Sequence, residues 1–460
     1  MAQKNLEDVL KAARNPVDLL RNSRIGAYVY PVVPGEFSNW RDEQAAWRKS
    51  AVLFDQSHHM VDIYIKGPDA IKLLSDLAIN SFANFPVNRA KQFIPCSYSG
   101  HVIGDGILFH LEKNNLVFVG RAPSANWIQF HAETGKYRVK IKKDDRSPGN
   151  PKGKAVNRIS YRFQIQGPNA WKIIEKLNGK KVPDLKFFHM DSIKIGGHRV
   201  RTLRHGMAGA PGLEIWGPYK EREKIRETII KAGEEFGLRQ VGSRAYATNT
   251  LESGWIPSPL PAVYTDDRMK KYRKWLPADS YEATGGLAGS FVSNNIEDYY
   301  VTPYEIGYGP FVKFDHEFIG REALERLSQT PPPRTKVTLV WNADDVTAAI
   351  GSLYRPGPGA KYIEMPKARY ATHHEDVVLK DGRQIGISLD CGYLANERVM
   401  VSLATLENEY AEPGTQVTVV WGEQPVSAKP AVEEHVQVEI RATVAPAPFD
   451  SFARENYRSR

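Results

Sequence analysis

The chain has 460 residues, 42% of them hydrophobic and 25% charged, ordinary values for a folded protein that exclude global disorder. At roughly 100–200 residues per domain the length predicts about three domains, and no apolar run approaches the ~20 residues of a membrane span. The net charge of +9 comes from 62 Lys+Arg against 53 Asp+Glu; it is dispersed, which favours small anionic ligands over nucleic acid as its reason.

At the N-terminus charges alternate without an apolar segment, so no secretory signal is expected. Two distant cysteines, Cys96 and Cys391, exclude a disulfide framework and, lacking a CxxC partner, make a cysteine metal site improbable; a reducing cytoplasm is the expected setting.

In chain order, the first signal is a repeat. Ile63–Leu77 (IYIKGPDAIKLLSDL) and Phe163–Leu177 (FQIQGPNAWKIIEKL) share an alternating strand, Gly-Pro, an Asp or Asn in the first helical turn, and apolar positions at helical spacing. Proline cannot donate to a strand ladder, yet it is tolerated at a helix start, so Gly-Pro marks the change of element. Leu213–Ile230 (LEIWGPYKEREKIRETII) reads as a third copy. The repeat predicts α+β modules with antiparallel sheets covered by helices on one face. The densest basic stretch, Lys136–Lys154, holds two Asp and a Pro/Gly break and reads as a solvated strand end and loop. Tyr264–Ser290, charged and rich in Gly and Pro without periodicity, reads as a hinge. Pro331–Pro333 end a helical pattern, and beyond them short alternating runs with an Asp381-Gly382 hairpin signal predict a small β-barrel or sandwich. Pro446–Arg460 reads as a loosely packed tail. The resulting division is 1–155, an N-terminal α+β region carrying the substrate pocket; 156–285, a second α+β region; and 286–460, a connector and C-terminal β-barrel.

No Walker loop, dinucleotide-binding GxGxxG, HExxH or GxSxG stands in a usable context, which sets aside most nucleotide, nicotinamide, zinc-protease and serine-hydrolase chemistry. The remaining candidates each have a structural and a functional reading. His58 and His59 stand at a strand entrance and point to opposite faces, so no shared metal is expected; one is solvated and one packed, or one lines a pocket as a hydrogen-bonding or acid/base group. Arg121, after the apolar strand LVFVG, is a surface ion-pair partner or a fork for a carboxylate. Tyr246, in a loop leading into a helix, is a core tyrosine or a proton donor to a developing oxyanion. Glu214, between Leu213 and Ile215, needs a partner if buried and can accept from the N–H groups of a heterocycle. Trp255 is ordinary core or a stacking wall.

Six segments in order, LFDQSHHMVDIYIKGPDA, SGHVIGDGILFHL, FQIQGPNA, RHGMAGAPGLEIWG, GSRAYATNTLESGWIP and TPYEIGYGPFVKFDHEFIGREAL, resemble the glycine-cleavage T-protein (aminomethyltransferase) family. The resemblance implies an α+β, three-domain cloverleaf: two ferredoxin-like folate-binding domains and a C-terminal β-barrel around a central channel that takes tetrahydrofolate. The chain departs from the family pattern in three places. Gly104 stands where the first Asp of Gly-Gly-Val-Ile-Asp-Asp acts on the aminomethyl substrate, Thr-Gly-Tyr-Thr-Gly reads His205–Gly209, and Asn342–His374 is additional.

Within the family, Tyr30, Gln56, His59, Arg121 and Tyr246 match the pattern of the long bacterial members that demethylate aryl methyl ethers of lignin-derived aromatic catabolism: vanillate, 3-O-methylgallate and syringate. That likeness implies Arg121 on the substrate carboxylate and Tyr246 at the departing phenolic oxygen. It also implies His59, Tyr30 and Gln56 around the ring, and Glu214, Trp255, Gln164 and Arg244 on the folate. Tyr246 and His59 are the expected catalytic pair. The expected reaction moves a methyl group to tetrahydrofolate, giving 5-methyltetrahydrofolate and a phenolic acid, with no metal, nucleic acid or membrane involved. The alternatives are an aminomethyltransferase or other small-substrate demethylase of the family, and a non-catalytic folate-binding regulatory protein. Gly104 argues against aminomethyl transfer, and the Arg121–Tyr246 combination suits an aromatic acid better than a cation.

Overall fold

The strand–Gly-Pro–helix unit forms two matching corners of the computed structural model, which describes residues 4–13, 15–24, 30–150, 158–182, 185–206, 210–257 and 259–456. Residues 207–209 of the RHGMAGAPGLEIWG segment lie outside that set. Strand Val61–Lys66 passes through Gly67 into helix Ala70–Leu77, and strand Ser160–Gln166 passes through Gly167 into helix Ala170–Asn178. Both glycines have positive φ, 146° and 121°, and a β-carbon on either would collide with backbone, that of Arg138 or of Ser50. Only glycine admits that approach. Asp69 and Asn169 hold the N-cap positions, but neither side chain caps its own helix: Asp69 accepts from Arg138, and Asn169 donates to the Phe236 carbonyl. The third copy diverges, because its strand Gly212–Pro218 runs through the Gly-Pro and a 3-10 turn, Tyr219–Glu221, precedes helix Arg222–Gly233.

Each corner belongs to one sheet. The first is antiparallel throughout, in the spatial order Arg89–Phe93, Gly106–Glu112, Asn115–Gly120, Val61–Lys66, Lys140–Asp144. The second runs Leu238–Val241, Ala51–Asp55, Ser160–Gln166, Gly212–Pro218, His198–Arg204, Met190–Ile195. Ala51–Asp55 pairs parallel to Leu238–Val241, so the expectation of purely antiparallel sheets holds for the first only. The physical reason is the connection. Leu238–Val241 follows helix Arg222–Gly233, and a long helical crossover permits parallel pairing where a hairpin does not. Phe109, Val117 and Val119 of the first sheet meet Met190, Leu203 and Trp216 of the second in one apolar cluster.

Beyond Pro331–Pro333, six strands close into a barrel: His373–Lys380, Arg383–Leu394, Val399–Glu407, Arg334–Trp341, Val438–Ala445 and Gln416–Trp421, the last pairing back to the first. Asp381 and Gly382 both have positive φ, 50° and 77°, as a two-residue type I′ hairpin turn requires. The mixed sheets and closed barrel agree with the expected α+β architecture.

Two readings are corrected. The hinge Tyr264–Ser290 holds short helices, Lys270–Trp275 and Tyr281–Thr284, and its Met269, Tyr272 and Leu276 lie in the main core; helices of six and four residues are too short to display a helical period. The tail is docked as far as residue 456: helix Ser451–Asn456 follows buried Asp450, which pairs with Arg48. Cys96 and Cys391 are buried and unbridged. No helix among the described residues is long and apolar enough to cross a membrane.

Arg48 also meets Glu252 at 3.1 Å and Glu397 at 3.2 Å, so three carboxylates share one guanidinium. Burial pushes the Glu252 carboxyl up to about 8, against the pull of Arg48. A carboxyl raised on folding binds its proton more tightly in the native state, so stability falls as pH rises from the ordinary value of 4.5 through about 8. Calorimetric melts should show the wild type losing stability relative to Glu252→Gln across that window; parallel curves would refute this.

Candidate active site

Gly106 and Gly120 face each other in register across neighbouring strands, and a β-carbon on either would collide with the Phe118 ring. This close-packed pair places Asp105, just before one strand, and Arg121, just after the other, at the same end of the first sheet. Arg121 occupies the N-cap position of helix Ala122–Thr134 and lines a cavity.

Tyr246 ends a short helix, Ser243–Tyr246, rather than sitting in a loop. The Ser243 N–H donates to the Pro34 carbonyl at 2.9 Å and the Arg244 N–H to that of Gly35 at 3.1 Å. Gly242 permits this docking, since a β-carbon there would strike the Gly35 carbonyl. The Tyr246 ring is packed edge-on by Tyr30, Phe54 and His59, with centroids 5.5, 5.4 and 6.0 Å away. Its hydroxyl accepts from Gln56 Nε2 at 3.3 Å, and the same nitrogen donates to Gln164 Oε1 at 2.9 Å. Gln164 Nε2 donates to the His205 carbonyl at 3.0 Å. Tyr30 donates its hydroxyl to the Asp55 carbonyl at 2.7 Å.

The two histidines lie in the turn before strand Val61–Lys66 and bond different partners; both are buried, so the reading of one as solvated is corrected. His58 bonds the Arg146 carbonyl and the Tyr219 hydroxyl, at 3.0 and 3.1 Å. His59 Nδ1 lies 2.6 Å from the Gln56 carbonyl, and a carbonyl only accepts, so Nδ1 carries the hydrogen. Burial pushes the His59 ring down to about 3. The ring is therefore neutral near pH 7, with Nε2 as an acceptor.

Glu214 lies opposite Gln164 in the second sheet. Burial works against its charge, but Arg162, which donates to it, and His205, 3.5 Å away, hold the carboxyl down to about 2. Arg162 escaped the sequence reading. It spans the sheets, stacking over Phe109 at 4.8 Å and reaching Asp62 at 4.0 Å. Nearby, Arg158 pairs with Asp62 at 3.3 Å and Asp144 at 3.1 Å. The signal was present in SYRFQIQ: Arg162, Gln164 and Gln166 alternate with Tyr161, Phe163 and Ile165, which marks one strand face as polar. Because both faces are buried, that polar face requires partners.

Trp255 lines the cavity and donates its indole N–H to Asp105 at 2.8 Å. Asp105 also accepts from Tyr308 at 2.6 Å and Gln92 at 3.3 Å, and burial raises its pKa against those three donors. The sequence reading centred on Gly104; the carboxylate at this position in the fold belongs to the next residue.

One cavity thus gathers Tyr30, His59, Arg121, Tyr246 and Trp255. Gln56, Gln164 and Glu214 are not among its lining residues; Gln56 meets it through the hydrogen bond to Tyr246 and links it to Gln164. Arg244 does not line it: its guanidinium donates to Glu36 and to the Met365 carbonyl. The additional stretch 342–374 supplies Lys367, Arg369 and His374 to the same lining, and the barrel supplies Asp390.

A family model described as the GCVT N-terminal domain matches residues 25–258. The chain is 48% identical to a syringate O-demethylase of Sphingobium sp. (strain NBRC 103272 / SYK-6) over 99% of its length and 98% of the relative's. It is 30% identical to a sesamin methylene transferase of Sinomonas sp. (strain No.22), covering 92% of each. Its fold is similar to that of the glycine cleavage system aminomethyltransferase T from Bartonella henselae, with a TM-score of 0.60, 17% identity and 96% of each chain covered.

Glu214→Gln leaves buried Arg162 with the more distant Asp62 as its carboxylate partner among the described residues. Breaking a buried pair from one side should cost roughly 3 kcal/mol in urea unfolding; a loss below about 1 kcal/mol, the scale of an exposed pair, would show that Glu214 is not needed to balance Arg162.

Proposed function

The chain belongs to the GCVT family, and on that premise we propose that it is a tetrahydrofolate-dependent O-demethylase that takes the methyl group of an aromatic methoxy acid. The observation that carries this reading is the single cavity lined by the Tyr246 phenol, the neutral His59 ring, the Arg121 guanidinium and the Trp255 indole. The full-length likeness to a syringate O-demethylase supports the reaction class.

The residues suit both ligands. Trp255 offers a flat wall whose orientation is fixed by its bond to Asp105. Gln164 and ionised Glu214 form an acceptor-rich pair behind Tyr246, the chemistry that the N–H edge of a pterin needs. When bound, tetrahydrofolate supplies its N-5 nitrogen as the methyl acceptor.

The chain's own task is the leaving group. As the methyl–oxygen bond breaks, its electron pair stays on the phenolic oxygen, and a placed donor there lowers the barrier. Tyr246 is that donor, and the hydrogen bond it accepts from Gln56 strengthens its O–H. His59, with Nε2 as acceptor, holds a ring hydroxyl, flanked by Tyr30 and Gln56. Arg121 grips the carboxylate with parallel hydrogen bonds, at a helix start that itself favours an anion. Gripping one end of the ring while the other meets Tyr246 supplies the orientation that in-line transfer needs. Arg244, engaged by Glu36 and Met365, serves the helix that carries Tyr246 rather than the folate. The substrates are vanillate, syringate or 3-O-methylgallate, the products are 5-methyltetrahydrofolate and a phenolic acid, and the setting is the cytoplasm.

Incubated anaerobically with tetrahydrofolate and each acid, the purified protein should yield the demethylated acid and 5-methyltetrahydrofolate; demethylation without folate would sink the reading. Tyr246→Phe should lower kcat by about 10²–10⁴ with folate binding intact, and an unchanged rate would remove Tyr246 from the chemistry. Arg121→Ala should raise KM for the acids and leave a methoxyphenol lacking the carboxylate nearly unaffected; equal effects on both would return Arg121 to a structural role.

A further inference from the structure

The lining of the cavity contains a largely buried ion pair that the reaction above does not use. Lys367, 8% exposed, lies on the additional stretch 342–374. Its Nζ donates to Asp390 Oδ2 at 2.6 Å, to Thr250 Oγ1 at 2.8 Å and to the Ala247 carbonyl at 3.1 Å. Thr250 Oγ1 also lies 3.1 Å from Asp390 Oδ2. An ammonium has three hydrogens, and these contacts occupy all three, so Lys367 has none left for a ligand even though it lines the cavity. Asp390 sits where the barrel strand breaks register, with φ of 55°. A non-glycine residue in the left-handed region costs energy and persists where surrounding contacts hold it.

The Ala247 carbonyl follows directly on Tyr246. We propose that Lys367, paired with Asp390, is a positioning residue that sets the place of the Tyr246 phenol. The rings around Tyr246 constrain it by shape, and its hydroxyl accepts from Gln56 at 3.3 Å. Its backbone is held from both sides as well. On the N-terminal side, Ser243 and Arg244 are tied to Pro34 and Gly35; on the C-terminal side, Asn249 and Thr250 bond the Tyr246 and Ala247 carbonyls locally, and Lys367 ties the Ala247 carbonyl to a distant part of the chain. Arg244 joins the two holds by bridging Glu36 and the Met365 carbonyl, two residues from Lys367. The additional stretch thus braces the helix bearing the donor against the barrel.

This inference rests on Tyr246 as the donor, and its test separates the two. The full chain is compared with Lys367→Met, Lys367→Arg and the charge-neutral double variant Lys367→Met/Asp390→Asn. Each is assayed for kcat and for KM of both substrates. Each also carries 3-fluorotyrosine at position 246 for 19F NMR, which reports on that ring whether or not turnover occurs. Lys367→Met should lose about 10²-fold in kcat, the scale of an ångström-sized misplacement, with both KM values little changed, and its 246 resonance should shift and broaden. Lys367→Arg should recover part of the rate and a sharp line. The double variant, which removes the uncompensated Asp390 charge and serves if Lys367→Met folds poorly, should stay slow. A rate and resonance like wild type in the double variant would overturn the brace. No folate-dependent turnover in wild type would overturn the demethylase reading instead, and the 19F resonances alone would then decide the brace.

Discussion

Two guanidinium groups buried between the sheets organise this molecule. Arg158 and Arg162 both lie on or beside strand Ser160–Gln166 of the second sheet, and both reach Asp62 of the first. Burying such charges is costly unless each is paired and hydrogen-bonded. Asp144 and Glu214 complete the pairing, and the faces of Phe109 and Trp216 accept the Arg162 cation. The sheets are therefore locked at one relative position by partners drawn from both, where an apolar seam alone would leave more freedom to slide.

The site inherits that lock. Arg162 holds Glu214 in its charged form, Glu214 lies opposite Gln164, and Gln164 shares the Gln56 amide with Tyr246. Burial keeps His59 neutral, and the guanidinium of Arg162 acts in the same direction. A structural ion network thus holds Glu214 charged beside the cavity and reinforces the neutrality that burial gives His59. A second network around Arg48 anchors helix Asn249–Ser253, between Tyr246 and Trp255, to the docked C-terminal helix. Residues remote from the cavity therefore bear on where Tyr246 and Trp255 stand.

The cavity joins parts of the chain that have no common local pattern, among them the end of the first sheet, the helix after Gly242, and the stretch inserted between two barrel strands. Tyr246 was legible because its segment resembles a known one, yet its helix was not, since four residues carry no period. Arg244 has a similarly placed sequence neighbourhood but turns to Glu36 and Met365, a choice governed by what lies beside it in space. Asp105 was overshadowed by its glycine neighbour. Its three donors, Gln92, Trp255 and Tyr308, are scattered over more than two hundred residues of chain, and only the fold assembles them.

What the sequence determined by itself are the features that depend on short-range chemistry: the strand–Gly-Pro–helix corners, the Asp381-Gly382 turn, the alternating barrel strands, and the residue types of the pocket. Positive φ, proline's missing donor and side-chain alternation act within a few residues, so they can be read along the chain. Tertiary structure alone decided the parallel pairing of Ala51–Asp55, the packing of the short helices after Tyr264, the docking of the C-terminal helix, and the bond from Lys367 to the Ala247 carbonyl. Each of these depends on partners far apart in sequence, and what a buried charge or a free carbonyl pairs with is settled by the space that folding brings together.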